Sequence, residues 1–172
     1  MKKNSRILFN DNWSFLLMDR ESHPDPAALP ADGWSDMTLP HDWLIYDADN
    51  LYKDGLGIYK KLIEHEGNEG DDGRTFLIFD GVYMDSTYYL NGEKVGEWKY
   101  GYSQYVLELT DHLRPGANEL TVFVDYHAPN SRWYSGAGIY RNVWLKTTPR
   151  VYVPENGVYV HAEPDEGGYA LR

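Results

Sequence analysis

An all-β sandwich or barrel is the fold class that this sequence predicts, on three observations. Helical periodicity is nearly absent. Short β-rich runs recur along the chain, each bounded by Gly, Asn, Asp or Pro. The 172 residues include 15 Tyr and 6 Trp, too many for a plain helical bundle and well suited to pleated, half-buried surfaces.

The runs are read in order. RILFN comes first and ends at a turn at Asp11 and Asn12, followed by WSFLLM. The polar stretch ESHPDPAALPADGW reads as a surface loop with one helical turn at PAALP. MTLPHDWLI continues into the acidic loop YDADNLYKDG. GIYKKLIEHE is a strand in which Ile58, Lys60, Leu62 and Glu64 alternate with Tyr59, Lys61, Ile63 and His65. The charged insert GNEGDDG separates it from RTFLIFDGV. There Phe76, Ile78 and Asp80 face one way and Leu77 and Phe79 the other, so both faces are mostly apolar, as in a central sandwich strand. Tyr88, Tyr89 and Leu90 run into Asn91-Gly92, the preferred type I′ hairpin turn because both residues take up φ > 0 at low cost. YSQYVLELT, ELTVFVDY and RNVWLKTT complete the series, with a turn at Pro115-Gly116. After Pro149 two or three short strands follow without partners for most of them, and a lone hairpin is marginal in water. They read as the start of a second β domain or as a tail packed on the first.

Composition excludes several function classes. Hydrophobic residues make up 42% of the chain, enough for a real core. Acidic residues number 27 against 16 basic, a formal charge of −11, which repels phosphate backbones and anionic lipid, so neither nucleic acid nor membrane is expected as a partner. There is no cysteine, hence no disulfide and no thiolate metal site. No apolar run at the N-terminus is long enough for a signal sequence, and none spans a bilayer. The expected compartment is the cytoplasm.

No conventional catalytic motif is present. Asn118-Glu119 superficially matches an acid/base pair, but it follows Pro-Gly-Ala, where turn chemistry accounts for it; Asn68-Glu69 lies in an acidic loop. Asp47, Asp49 and Asp54 invite comparison with a calcium loop, yet Leu51 and Tyr52 stand where a ligand and a glycine are required. His41 and Asp42 adjoin, and on extended backbone they point to opposite faces. Gly136-Ala137-Gly138 lacks the preceding strand and following helix of a nucleotide-binding loop. Aromatics with polar neighbours remain. Aromatic faces bind the apolar side of a sugar ring, while Asp, Asn and Arg hold its hydroxyls. NSRWY, at 130–134, has that mix, and core packing of Trp133 and Tyr134 explains it equally well.

Several separated motifs carry a resemblance. LPHDW at 39–43, FDGVYMDSTYYLNGEKVGEWKYGYSQYVLELTDHL at 79–113 and NSRWYSGAGIYRNVWL at 130–145 stand in the order found in one family. The chain from Ile7 to Leu145 resembles the N-terminal sugar-binding domain of family-two glycoside hydrolases, the β-galactosidase, β-glucuronidase and β-mannosidase group, and looks most like the β-galactosidase branch. The resemblance implies a jelly-roll β-sandwich over residues 1–148, and a linker with the first strands of an immunoglobulin-like domain over 149–172. It implies that catalysis belongs to a TIM barrel of about 250 residues carrying two glutamates, so no catalytic residue, metal or cofactor is expected in this chain.

The family also implies a loop that helps hold the non-reducing sugar. The residues expected to contact it are Asp42, Asn130, Arg132, Trp133 and Tyr134. Asn130, Ser131 and Arg132 occupy the place where related galactosidases put a cation-serving aspartate. Gly136 and Gly138 are expected to allow close approach, and Arg141 to make a buried charge-assisted hydrogen bond. The implied partner is a β-galactoside or related carbohydrate, met together with the catalytic domain of a parent enzyme that the family allows to be homo-oligomeric. An autonomous carbohydrate-binding module and a purely structural or oligomerisation domain are the alternatives.

Overall fold

The computed structural model describes residues 4–46, 49–67, 73–128 and 136–171. Its strands, numbered in chain order, form two packed sheets and a small separate one. One sheet has four strands in the order β1 (Ser5–Leu8), β10 (Val143–Thr148), β5 (Arg74–Phe79), β8 (Tyr105–Glu108). The other has six, in the order β3 (Ser35–Met37), β2 (Trp13–Met18), β4 (Gly55–His65), β9 (Gly116–Tyr126), β6 (Ser86–Leu90), β7 (Glu93–Trp98). Every neighbouring pair is antiparallel. This is the jelly-roll β-sandwich that the family resemblance implies, built on the β-rich runs read from the sequence.

The core lies between the sheets and follows the pleat. In β9, Leu120, Val122 and Val124 are completely buried and alternate with Thr121, Phe123 and Asp125. They meet Trp13, Tyr59, Leu77, Phe79, Tyr88 and Leu107 in one apolar cluster. Burying each such side chain contributes about 1.5–3 kcal/mol. As expected for a central strand, β5 lies between β10 and β8, with Leu77 and Ile78 both fully buried.

Glycine closes the sandwich where the sheets converge. A Cβ on Gly96 would fall 2.4 Å from the Tyr105 hydroxyl, so the edges of β7 and β8 approach only because that atom is missing. Trp98 stacks on Tyr105 there, with ring centroids 5.3 Å apart. The β6–β7 hairpin turns at Asn91 (φ 53°) and Gly92 (φ 81°), as the Asn-Gly pair predicts.

One local expectation changes. The polar stretch after β2 has its helical turn at Arg20–Ser22 as a short 3-10 element, capped by the Asp19 carboxylate accepting the Glu21 N–H. PAALP makes only a turn, because Asp25 caps it locally and accepts the Ala27 N–H. This loop packs across the outer face of the six-stranded sheet, with Gly33 against Leu16 and Gly92 against Ala27. Ile58 is buried on the outward side of β4, whereas Leu62, farther along the same side, is 61% exposed. MTLPHDWLI is not one strand: pairing ends at Met37, and a cis peptide joins Leu39 to Pro40.

Beyond β10 the chain first packs back on the four-stranded sheet. Tyr152 lies against Phe76, and Glu155 bridges Arg6 and Lys146. β11 (Ala162–Asp165) and β12 (Gly168–Leu171) then pair only with each other.

Asn118 secures the end of the sandwich at the β6–β7 hairpin. Its side chain donates to the carbonyls of Arg114 and Gly116 and accepts from the Arg114 N–H and the Asn91 amide. It is fully buried, so its role is to stitch turns together. Asn118→Ala orphans several buried polar groups and is expected to lower unfolding free energy by about 2–3 kcal/mol, read as a lower urea midpoint at unchanged slope.

Candidate functional site

The opposite end of the β4–β9 ladder carries the candidate site. The segment 136–139 threads between two others through its backbone. The Gly138 N–H donates to the Tyr83 carbonyl and the Tyr83 N–H to the Gly138 carbonyl, at 2.8 and 2.9 Å. On the other side the His41 N–H donates to Ile139 and the Trp43 N–H to Ala137. Gly138 has φ 140°, and a Cβ on it would sit 2.4 Å from the His41 carbonyl oxygen. Only glycine permits that approach.

Asp42 is the anchor. It is buried, and its Oδ1 accepts the Leu44 and Ile45 N–H groups of its own turn and the Ala137 N–H across the site. A carboxylate accepting several backbone N–H groups makes strong, charge-assisted bonds. Asp54, at the entrance to β4, does the same on the other side by accepting the Ala128 N–H at 2.6 Å. The chain between Ala128 and Ala137 is therefore pinned at both ends by carboxylates. Both alanines pack into one apolar cluster with Leu44, Tyr83 and Tyr126.

Gly57 and Tyr59 seat the turn that carries Asp42. A Cβ on Gly57 would lie 2.3 Å from the Trp43 ring, so that ring rests directly on the β4 backbone. Phe15 stacks on Trp43 at 5.6 Å. Tyr59 is fully buried and its hydroxyl lies 2.9 Å from His41 Nδ1. Burial holds the His41 pKa below the ordinary imidazole range, with the nearby Asp42 charge opposing it. Burial thus disfavours the charged imidazole, and the Tyr59 hydroxyl that contacts His41 Nδ1 also accepts the Ile139 N–H at 3.4 Å. His41 and Asp42 serve different partners, the Tyr59 hydroxyl and backbone N–H groups respectively.

Of the five expected sugar contacts, Asp42 is described, and its Oδ1 accepts backbone N–H groups at the base of the segment. Asn130, Arg132, Trp133 and Tyr134 lie outside the described residues. Arg141 departs from its expectation. It is exposed, with its guanidinium 5.1 Å from the Tyr140 ring centre. The cause is distant in sequence: Gly81 leaves a bare backbone patch on which the Arg141 stem and the Tyr140 ring lie, directing the cation outward. Sequence reasoning passed over Asp54, Gly57 and Tyr59. Their signal was present in the spacing of Gly55, Gly57 and Tyr59, which puts two side-chain-free positions on one face of a strand.

With this geometry in hand, comparison with known proteins is informative. Residues 37–149 match the model for the sugar binding domain of glycosyl hydrolases family 2. The chain is 40% identical over 165 residues to the beta-galactosidase BoGH2A of Bacteroides ovatus, covering 88% of this chain and 19% of that protein. It is 34% identical over 113 residues to a beta-glucuronidase of Bacteroides fragilis, covering 64% and 15%. The crystal structure of a beta-glycosidase from Bacteroides vulgatus superposes with a TM-score of 0.79 at 27% identity, covering 94% of this chain and 22% of that one. The chain spans about a fifth of the length of the curated relatives it matches. It belongs to the sugar-binding domain family of the family-two glycosyl hydrolases.

Two expectations follow from the anchors. Asp42→Ala leaves three N–H groups without their acceptor and should lower unfolding free energy by about 3 kcal/mol, measured by urea unfolding. His41 binds its proton less readily folded than unfolded, so its contribution is complete above the unfolded value of about 6.5 and is lost as pH falls through the folded one. Unfolding free energy should decline on acidification from about 6.5 down to the folded value, and His41→Gln should flatten this decline in urea titrations at a series of pH values.

Proposed function

We propose, on the premise that this chain is a family-two sugar-binding domain, that it is the non-catalytic N-terminal domain of a retaining β-glycosidase of the β-galactosidase type. In this reading it supplies part of the subsite for the non-reducing sugar, and a separate catalytic domain hydrolyses the glycosidic bond. The observation that carries the reading is the double anchoring of the chain between Ala128 and Ala137, by Asp54 and Asp42, at the end of a rigid sandwich. That segment holds Asn130, Arg132, Trp133 and Tyr134, which supply an aromatic face and hydrogen-bonding groups for a sugar.

Asp42 then acts through position. Its carboxylate fixes one end of the segment whose sequence includes Arg132 and Trp133. The β-galactosidase assignment is supported by the 40% identity to the Bacteroides ovatus enzyme. In the same reading, residues 1–148 form the sugar-binding domain. The β11–β12 hairpin, which pairs with neither sandwich sheet, is the beginning of the next β domain.

Substitution in the full-length enzyme tests this. Arg132→Ala and Trp133→Ala are expected to lower kcat/KM for an aryl β-galactoside by about tenfold or more each, a loss of about 1.4 kcal/mol or more in transition-state binding, with thermal stability retained. Unchanged kinetics in both variants would assign the domain a structural part instead.

A further inference from the structure

A second feature lies outside the anchored segment. The outer face of the four-stranded sheet ends in a row of polar side chains. Ile78 pairs with both Trp144 and Val106 across three strands. Two residues farther along each strand direction stand Asp80, Asn142 and Gln104, which the period of two puts on the same face. The ladder continues beneath them, since the Asp80 N–H donates to the Asn142 carbonyl. Together with Pro40, Tyr140 and Arg141 these side chains line an open cleft.

Each polar group in the cleft is held, and each keeps capacity to bond. Asp80 Oδ1 accepts from Gln104 at 3.0 Å and Oδ2 from the Trp144 indole N–H at 2.8 Å. A carboxylate has about four acceptor sites, so both oxygens retain one. Asn142 Oδ1 accepts the Asn10 amide, which leaves its own NH₂ donors. Arg141 is exposed and, among the described residues, forms no ion pair. An aromatic wall stands beside it. The Tyr140 hydroxyl donates to the Gly101 carbonyl and ties that ring to the connection between β7 and β8. That connection presents Tyr100 at 61% exposure, with Tyr102 packed behind it at 5.7 Å.

We propose that the cleft formed by Asp80, Gln104, Asn142 and Arg141, flanked by Tyr100 and Tyr140, is a second carbohydrate site that takes a neutral hexose unit. An aromatic face, a carboxylate, two carboxamides and a guanidinium on a fixed frame match a sugar ring, which is apolar on one face and edged with hydroxyls. Neutrality follows from charge. Asp80 and Arg141 cancel within the cleft, and the chain as a whole carries −11, which disfavours anionic sugars. The site shares no residue with the segment between Ala128 and Ala137, so it stands or falls independently of the function proposed above.

The test is an NMR titration of the ¹⁵N-labelled 172-residue chain with methyl β-D-galactopyranoside and, separately, methyl β-D-glucuronide. Saturable shifts are expected at the amides of 100–104 and 140–142 with the galactoside, and smaller ones with the glucuronide. Arg141→Ala and Tyr100→Ala remove exposed side chains and should keep a dispersed spectrum while raising the Kd for the galactoside about fivefold or more, a change of about 1 kcal/mol. Trp133→Ala should leave those shifts unchanged. The proposal is overturned if neither amide group shifts up to tens of millimolar sugar. It is equally overturned if both exposed variants bind as the parent does, if the shifts vanish with Trp133→Ala, or if the glucuronide binds more tightly.

Discussion

The eleven-residue pairing of β4 with β9, from Gly55 opposite Tyr126 to His65 opposite Gly116, is the constraint on which the rest depends. Both strands lie in the interior of the six-stranded sheet, so their register fixes which side chains enter the core. It also fixes what happens at each end. At one end β4 delivers Gly57 beneath Trp43 and Tyr59 to His41, while Asp54, just before it, holds Ala128 just beyond β9. At the other end β9 delivers Asn118 to the turns around Arg114 and Asn91. A slip of one residue would turn Tyr59 outward and bring Lys60 into the core, so the pairing is specified by burial as much as by hydrogen bonds.

The two ends solve one problem by the same chemistry. Irregular chain must cross the mouth of a sandwich, and its backbone N–H groups lose water there. Each end meets the deficit with one buried side-chain acceptor serving several donors: Asn118 at the hairpin end, Asp42 at the site end. The choice of carboxylate or carboxamide follows from the partners. Asn118 must both donate to carbonyls and accept from N–H groups, which only an amide does. Asp42 Oδ1 takes up the Leu44, Ile45 and Ala137 N–H groups, and a carboxylate accepts from such groups more strongly.

Much of the frame was legible in the sequence because its signals are local. Asn91-Gly92 dictates its turn chemically, and the two apolar faces of RTFLIF dictate a central strand. What escaped was non-local. Nothing near Ile58 in the sequence separates it from Leu62 on the same side of β4, yet Ile58 is fully buried and Leu62 is exposed. Arg141 was misjudged for the same reason. A guanidinium in a run of core residues suggests burial, but its direction is set by Gly81, sixty residues away, on which its stem lies. In the candidate site the sequence singled out Asp42 and Gly138 but not Asp54 or Tyr59, since their partners, Ala128 and His41, belong to other parts of the chain. Asn130, Arg132, Trp133 and Tyr134, read from the aromatic and polar mix of NSRWY and from the family resemblance, lie outside the described residues.

The division between anchor and contact has a thermodynamic reason. A sugar offers many hydroxyls but little apolar area, so its binding energy is small compared with the cost of ordering several side chains and a stretch of backbone at the moment of encounter. A domain that fixes the ends of its contacting segment during folding removes part of that cost from the binding step. The Asp54 and Asp42 carboxylates fix both ends of such a stretch by accepting the Ala128 and Ala137 N–H groups. Bonds of this kind are made to the backbone, so they place no demand on the side chains between them, and what keeps the frame in place is separate from what a sugar would meet.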